Sequence, residues 1–259
     1  MKFRFFRAAA AMLAAACLYQ TVFAEPGVSA KAAILLDAGS RQVLYEKNAD
    51  EPGLIASTTK IMTALLICES EDLSREVTVP DAAVGIEGSS LYLQRGERLT
   101  VEALLYGMML HSGNDAAVAL AILSAGSVEN FVERMNLRAR SLWLPDIRFA
   151  NPSGLDDEGN YASARSLALL TAEAMKNERF RTVVGTKTAV YGGRSLTNHN
   201  KLLWQYPGAL GVKTGYTKQA GRILVSCAER NGRRLVCVTM NDPDDWRDHK
   251  ALLDYGFGL

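Results

Sequence analysis

With 259 residues, 48% of them hydrophobic and 22% charged, the chain has the composition of an ordinary globular protein, which excludes disordered, collagen-like and coiled-coil classes. Its 29 basic and 28 acidic residues give a formal charge of +1, too balanced for a protein that binds by neutralising many phosphates, so no nucleic-acid partner is expected. Only 7 prolines are spread along the chain, and neither repeats nor low-complexity tracts mark a flexible linker.

Lys2, Arg4 and Arg7 lead into an alanine-rich apolar run over residues 8–18, and Val22-Phe23-Ala24 then precedes Glu25. This is the layout of a secretory signal peptide cleaved after Ala24. The run is about half the roughly 20 residues a spanning helix needs. Residues 1–24 are therefore expected to direct export, leaving a mildly acidic mature domain over 25–259. An alternative reads Leu13-Ala14-Ala15-Ala16-Cys17 as an imperfect lipoprotein signal with Cys17 lipidated.

Residues 32–36 and 42–46 read as two short strands joined by a turn at Ala38-Gly39-Ser40. The middle of the chain is helical in period, with segments at 57–69, 100–110, 114–123, 127–140 and 163–175. Strand patterns return at 209–213, 222–228 and 234–240, the last two joined across Asn231-Gly232, and a closing helix is expected over 248–255. Five strands from the two ends of the chain can form one antiparallel sheet bracketing a helical lobe inserted at about 70–180. Cys227 and Cys237 flank the Asn231-Gly232 turn, so free buried thiols and an optional bridge both stay open.

In Ser57-Thr58-Thr59-Lys60 the helix that follows is apolar almost all the way round and must be buried. A buried lysine is paired, used, or shifted towards its neutral form. Ser57, three residues earlier, lies on the same helical face within reach of the amine. Alone, a Ser-x-x-Lys is expected about once by chance in a chain of this size, and Ser57 could simply cap the helix while Lys60 reaches the surface. Ser112-Gly113-Asn114 offers a hydroxyl and an amide between two apolar helices, an arrangement that a turn and N-cap also explain. Lys213-Thr214-Gly215 ends a strand, so Lys213 and Thr214 point to opposite faces and Gly215 admits close approach of a ligand backbone.

Taken together, these three motifs resemble the signature of active-site-serine penicillin-recognising enzymes. His111-Ser112-Gly113-Asn114-Asp115-Ala116-Ala117, Asn151-Pro152-Ser153-Gly154-Leu155, Asn198-His199-Asn200-Lys201-Leu202-Leu203 and Gly211-Val212-Lys213-Thr214-Gly215-Tyr216-Thr217 narrow the likeness. They resemble the low-molecular-mass penicillin-binding proteins that are serine D-alanyl-D-alanine carboxypeptidases, over about residues 30–257. The resemblance implies an α/β fold of the β-lactamase/penicillin-binding-protein type, a five-stranded antiparallel sheet flanked by helices. It implies Ser57 as nucleophile, Lys60 as its base, Ser112 as proton relay to the leaving D-alanine and Asn114 as a clamp on Lys60 and the substrate amide. Lys213 and Thr214 would bind the terminal carboxylate, and the backbone N–H groups of Ser57 and Tyr216, beside Gly215, would form the oxyanion hole. The implied substrate is a peptidoglycan stem peptide ending in D-Ala-D-Ala, with β-lactam antibiotics as covalent inhibitors.

Several family members carry Arg where His199 stands, near the substrate; Arg247 is a candidate substitute, with a surface ion pair as the alternative. Residues 151–155 are expected to form a structural turn beside the site. His111, His199 and His249 lack ligand spacing, so neither a metal nor a cofactor is expected. Many relatives continue into a second β-domain and an amphipathic anchor helix, whereas this chain stops at Leu259, so no C-terminal membrane anchor is expected. Three competing functions stay open. A serine β-lactamase would need a positioned carboxylate; Glu173 and Asn177 have its spacing but lie in a helical pattern without a loop-forming proline. A DD-endopeptidase would attack the same carbonyl, and a catalytically idle sensor would have no need of a buried lysine beside a serine.

Overall fold

The computed structural model describes residues 25–144 and 146–259. The expected signal segment and Cys17 lie outside the described residues. Along the chain, β1 (Ala32–Asp37) and β2 (Val43–Lys47) form the opening hairpin. β3 (Gly53–Leu54) leads through a 3-10 turn at Ala56–Thr59 into α1 (Lys60–Ser70). Then follow β4 (Glu76–Thr78), β5 (Arg98–Thr100), α2 (Val101–Leu110), α3 (Asn114–Ala125) and α4 (Val128–Ser141). β6 (Ile147–Arg148) and β7 (Tyr161–Ala162) precede α5 (Ala164–Ala174) and α6 (Glu178–Gly185). A β8 (Thr188–Tyr191) and β9 (Arg194–Thr197) hairpin and the short α7 (Leu202–Gln205) lead into β10 (Ala209–Thr217), β11 (Gly221–Arg230), β12 (Arg233–Met240) and α8 (Asp245–Gly258).

The expected five-stranded antiparallel sheet is present, in the order β10-β11-β12-β1-β2. Strands with both faces covered read as continuous apolar runs, and β1 and β12 do so because their alternate residues enter two different cores. Ala33, Leu35, Leu224 and Leu235 pack with Leu252 and Leu253 of α8. Ile34, Leu36, Val225 and Val238 join the larger core that contains α1, α2 and α5. Within that core α1 is buried from Lys60 to Cys68, as its all-round apolar sequence requires.

The structure decides one open reading and shifts several element boundaries. Cys227 lies opposite Val236, and Ser226 opposite Cys237. One residue of offset sends the two thiols to opposite faces of the sheet, Cys227 into the large core and Cys237 beneath α8. No bridge joins them: both are free and buried, and burial pushes the Cys227 thiol up to about 12. β10 runs on past Lys213 to Thr217, so the Lys-Thr-Gly motif sits within the strand. α8 begins three residues earlier than expected and ends beyond Gly256. α6, which buries Phe180, Val183 and Val184 at helical spacing, and the β8/β9 hairpin were not among the expected elements.

Candidate active site

Four segments meet at one end of β10. The 3-10 turn carries Ser57 at the entrance to α1, and its backbone is pressed between two glycines. A Cβ on Gly154, whose φ is +85°, would lie 1.8 Å from the Ala56 carbonyl oxygen. A Cβ on Gly215 would come within 3.3 Å of Ser57 N and the Ile55 carbonyl. Larger side chains at either position would push the Ser57-bearing turn off β10.

The Asn151-Pro152-Ser153-Gly154-Leu155 segment is the expected turn. Asn151 Oδ1 accepts from Ser153 N (3.2 Å) and Gly154 N (2.7 Å), and its Nδ2 donates to Leu155 O (3.0 Å). Thr63 of α1 donates to Pro152 O at 2.7 Å, fixing the turn against the helix. In this position Ser153 O accepts a hydrogen bond from Lys60 Nζ, so a structural turn supplies part of the lysine's environment.

Lys60 is wholly buried. Its Nζ lies 3.0 Å from Ser57 Oγ and 2.7 Å from Asn114 Oδ1. Asn114 Nδ2 donates to Glu87 O at 2.8 Å, which turns the amide oxygen towards the lysine. Asn114 Oδ1 and Ser153 O can only accept. A neutral amine has two N–H donors and one lone pair, so satisfying both carbonyls leaves the lone pair for Ser57 Oγ–H. The electrostatics favour that form: burial first, then the charge of Lys213, hold the Lys60 pKa well below the usual lysine value, with Asp115 opposing.

Ser112 sits between α2 and α3 with φ +63°, a left-handed conformation that non-glycine residues seldom adopt and that recurs at functional sites. Lys213 Nζ donates to Ser112 Oγ (3.1 Å) and Thr214 O (2.9 Å), and burial lowers its pKa to about 7. Thr214, Gly215 and Tyr216 line a cleft of about 610 Å³ together with Ser57, Ser112 and His199. His199 packs 5.3 Å from His111 between ring centroids, and burial, then Lys213 and His111, lower its pKa. It is therefore a neutral group at neutral pH, and it offers no charge to a substrate carboxylate.

Arg247, the candidate substitute, pairs with Asp244 (3.2 Å) and Asp248 (3.0 Å) at the start of α8 and is not among the residues that line the cleft. Instead the cleft contains Ser89, Arg222, Asp245 and Trp246, which the motifs do not include. Arg222 and Asp245 are foreshadowed only by strand alternation and by the acidic start of a helix. Asp115, 1% exposed, steadies the Ser89 segment by accepting from Leu91 N (3.0 Å) and Ser90 Oγ (2.7 Å). The Glu173/Asn177 spacing has a separate explanation: Glu173 pairs with Lys176 at 2.8 Å, and Asn177 caps α6 by accepting from Phe180 N at 3.1 Å. No group of His, Cys, Asp and Glu with metal-binding geometry occurs among the described residues.

The D-alanyl-D-alanine carboxypeptidase family of peptidases matches residues 19–244. The chain is 40% identical over 219 residues to a D-alanyl-D-alanine carboxypeptidase of Bacillus subtilis, covering 81% of this chain and 56% of that one. It therefore spans little more than half of the Bacillus relative. A D-alanyl-D-alanine carboxypeptidase of Streptomyces sp. strain K15 is 35% identical over 266 residues, covering 92% of this chain and 91% of that one. Among solved structures, the Streptomyces K15 DD-transpeptidase superposes with a TM-score of 0.86 at 35% identity, covering 92% of this chain and all of the other. A Mycobacterium tuberculosis D-alanyl-D-alanine carboxypeptidase gives 0.87 at 32%, covering 93% and 95%. Sequence and fold agree, and the chain belongs to the D-alanyl-D-alanine carboxypeptidase family of serine peptidases, with the fold of the penicillin-binding proteins.

Proposed function

We propose that this chain is an exported serine D-alanyl-D-alanine carboxypeptidase that removes the terminal D-alanine from peptidoglycan stem peptides. The observation that carries the reading is the three-partner environment of Lys60, two fixed carbonyl acceptors and one serine hydroxyl. Ser57 Oγ attacks the penultimate D-Ala carbonyl as its proton passes to neutral Lys60. The oxyanion that forms is held by the backbone N–H groups of Ser57 and Tyr216, donors of the kind whose loss costs roughly 10²–10³ in rate. The C–N bond breaks as the departing D-alanine nitrogen takes a proton relayed through Ser112, and an ester on Ser57 remains. Water then attacks that ester, with Lys60 again accepting a proton, and free Ser57 returns. Lys213 and Thr214 bind the terminal carboxylate, and Asn114 holds both Lys60 and the substrate amide.

A β-lactam presents the same amide inside a ring, so its acylation of Ser57 leaves the amine tethered at the site. Deacylation as fast as a β-lactamase's needs a carboxylate aimed at the ester. Glu173 is spent on Arg41 and Lys176, and Asp245 is bound to Arg222. The layout of residues 1–24 supports an extracytoplasmic location, soluble or loosely held at the envelope.

The test combines mass spectrometry of the protein after benzylpenicillin with D-alanine release from diacetyl-Lys-D-Ala-D-Ala, for wild type and Ser57→Ala. A long-lived adduct on Ser57 together with D-alanine release, both lost in the variant, is the expected result. Rapid adduct loss without D-alanine release would make the protein a β-lactamase, and absence of any adduct would make it a binding protein.

A further inference from the structure

Among the described residues one arginine, Arg222, lines the cleft, and its surroundings leave half of it unused. Arg222 stands opposite Tyr216 in the β10/β11 ladder, and Leu224 opposite Thr214. Residues directly opposite in an antiparallel pair share a face, so Thr214, Tyr216 and Arg222 project to the same side of the sheet. Diagonal neighbours such as Arg222 and Thr214 lie roughly 7–8 Å apart, within reach of a long side chain. Asp245, in the first turn of α8, takes the Nε edge of the guanidinium: Nε donates to Oδ2 (3.1 Å) and Nη2 to Oδ1 (3.0 Å). The carboxylate side chain is 5% exposed whereas the arginine side chain is 46% exposed. Asp245 is thus a fixed buttress and Arg222 the group it aims.

A guanidinium has two edges that can each grip a carboxylate bidentately. With the Nε/Nη2 edge committed to Asp245, the Nη1/Nη2 edge remains, and Nη1 makes no hydrogen bond among the described residues. We propose that this end-on fork of Arg222, held in place by Asp245, binds the terminal carboxylate of the peptide and makes the cleft selective for a free C-terminus. The proposal rests on the carboxypeptidase reading and deepens it. It also accounts for two otherwise awkward features. His199 offers no permanent charge, and Lys213, with burial lowering its pKa to about 7, is only partly charged at neutral pH. Arg222 keeps its charge throughout the physiological range.

The experiment compares kcat/KM for diacetyl-Lys-D-Ala-D-Ala with that for the same peptide ending in a carboxamide, in wild type, Arg222→Gln and Arg222→Lys. The acid-to-amide ratio is expected to fall about 10- to 100-fold in Arg222→Gln, the range for loss of charge-assisted hydrogen bonds. Arg222→Lys, which keeps the charge but not the fork, should recover part of it. Loss of both activities in parallel would show that Arg222 only supports the fold, and an unchanged ratio would show that it does not read the carboxylate; either overturns the proposal. If wild type releases neither D-alanine from the acid nor D-alaninamide from the amide, it is the carboxypeptidase reading that fails. Rates of acylation by benzylpenicillin and by its methyl ester then give the same ratio, with the same fall expected in Arg222→Gln.

Discussion

At the scale of single residues, two buried lysines divide the work by having different partners. Lys60 faces two carbonyl oxygens and a hydroxyl, and Lys213 faces Ser112 and the Thr214 carbonyl. Burial depresses both, and at Lys60 the charge of Lys213 acts in the same direction. Activity should therefore rise with pH as Lys60 gives up its proton. For a substrate with a free carboxylate it should decline above about 7, where Lys213 becomes neutral. The two titrations are linked, so the profile reports values belonging to the pair. Lys213→Gln removes the charge that lowers the Lys60 pKa, which must then rise. The acid limb of acylation by benzylpenicillin methyl ester should move to higher pH in that variant, as stopped-flow acylation rates would show. A limb that stays in place, or moves to lower pH, would mean that Lys60 does not control the attack.

At the scale of elements, the cleft depends on backbones packed closer than side chains would permit. The 3-10 turn carrying Ser57 is held on one side by β10 and on the other by the loop containing Gly154. An alanine there would have to reconcile a left-handed φ with a backbone oxygen 1.8 Å from its Cβ. Strain and overpacking of this kind cost roughly 2–3 kcal/mol. Gly154→Ala should lower Tm by several degrees and acylation by more than tenfold, since the displaced atoms belong to the turn that carries Ser57. Calorimetry alongside penicillin adduct formation would separate this from a purely global loss, and full acylation at reduced Tm would detach the loop from the site. The sequence made the contiguous parts of this arrangement legible. Ser57/Lys60, Ser112/Asn114 and Lys213/Thr214 each sit within one short segment, and their chemistry shows in residue type and spacing. Arg222, Asp245 and Ser89 were not legible as site residues, because they reach the cleft only through the β10/β11 register, the first turn of α8 and the Asp115 clamp. The choice between free thiols and a bridge at Cys227 and Cys237 stayed open for the same reason: a turn signal places two strands side by side without fixing the register that decides which face each residue occupies.

At the scale of the whole molecule, the two ends of the chain close on each other across the sheet. β1 lies between β2 and β12, and α8 seals the face opposite the helical core. Fold class was readable because the strand patterns cluster at the two termini and the helical periods between them. The last helix brings Asp245 to the cleft, so its seating on the sheet matters for the site as well as for stability. His249 fastens it: the wholly buried ring meets Ser226 Oγ of β11 (2.7 Å) through Nδ1 and Thr239 Oγ1 of β12 (3.1 Å) through Nε2. Burial lowers its pKa to about 3, with Asp248 opposing. The unfolded chain takes up a proton near pH 6.5, whereas the folded protein does not until about pH 3, so between those values unfolding binds a proton. Stability should therefore be complete above pH 6.5 and fall by up to about 1.4 kcal/mol per pH unit as the solution is acidified. His249→Gln keeps a donor and an acceptor for the two hydroxyls but cannot titrate. The variant should lose about 1 kcal/mol at pH 7 from imperfect hydrogen bonding and show a shallower acid dependence, so that the two stability curves converge between pH 6.5 and 4. Urea unfolding at a series of pH values measures both. Parallel curves would mean that other groups drive acid unfolding and that α8 is not held to the sheet by a neutral histidine.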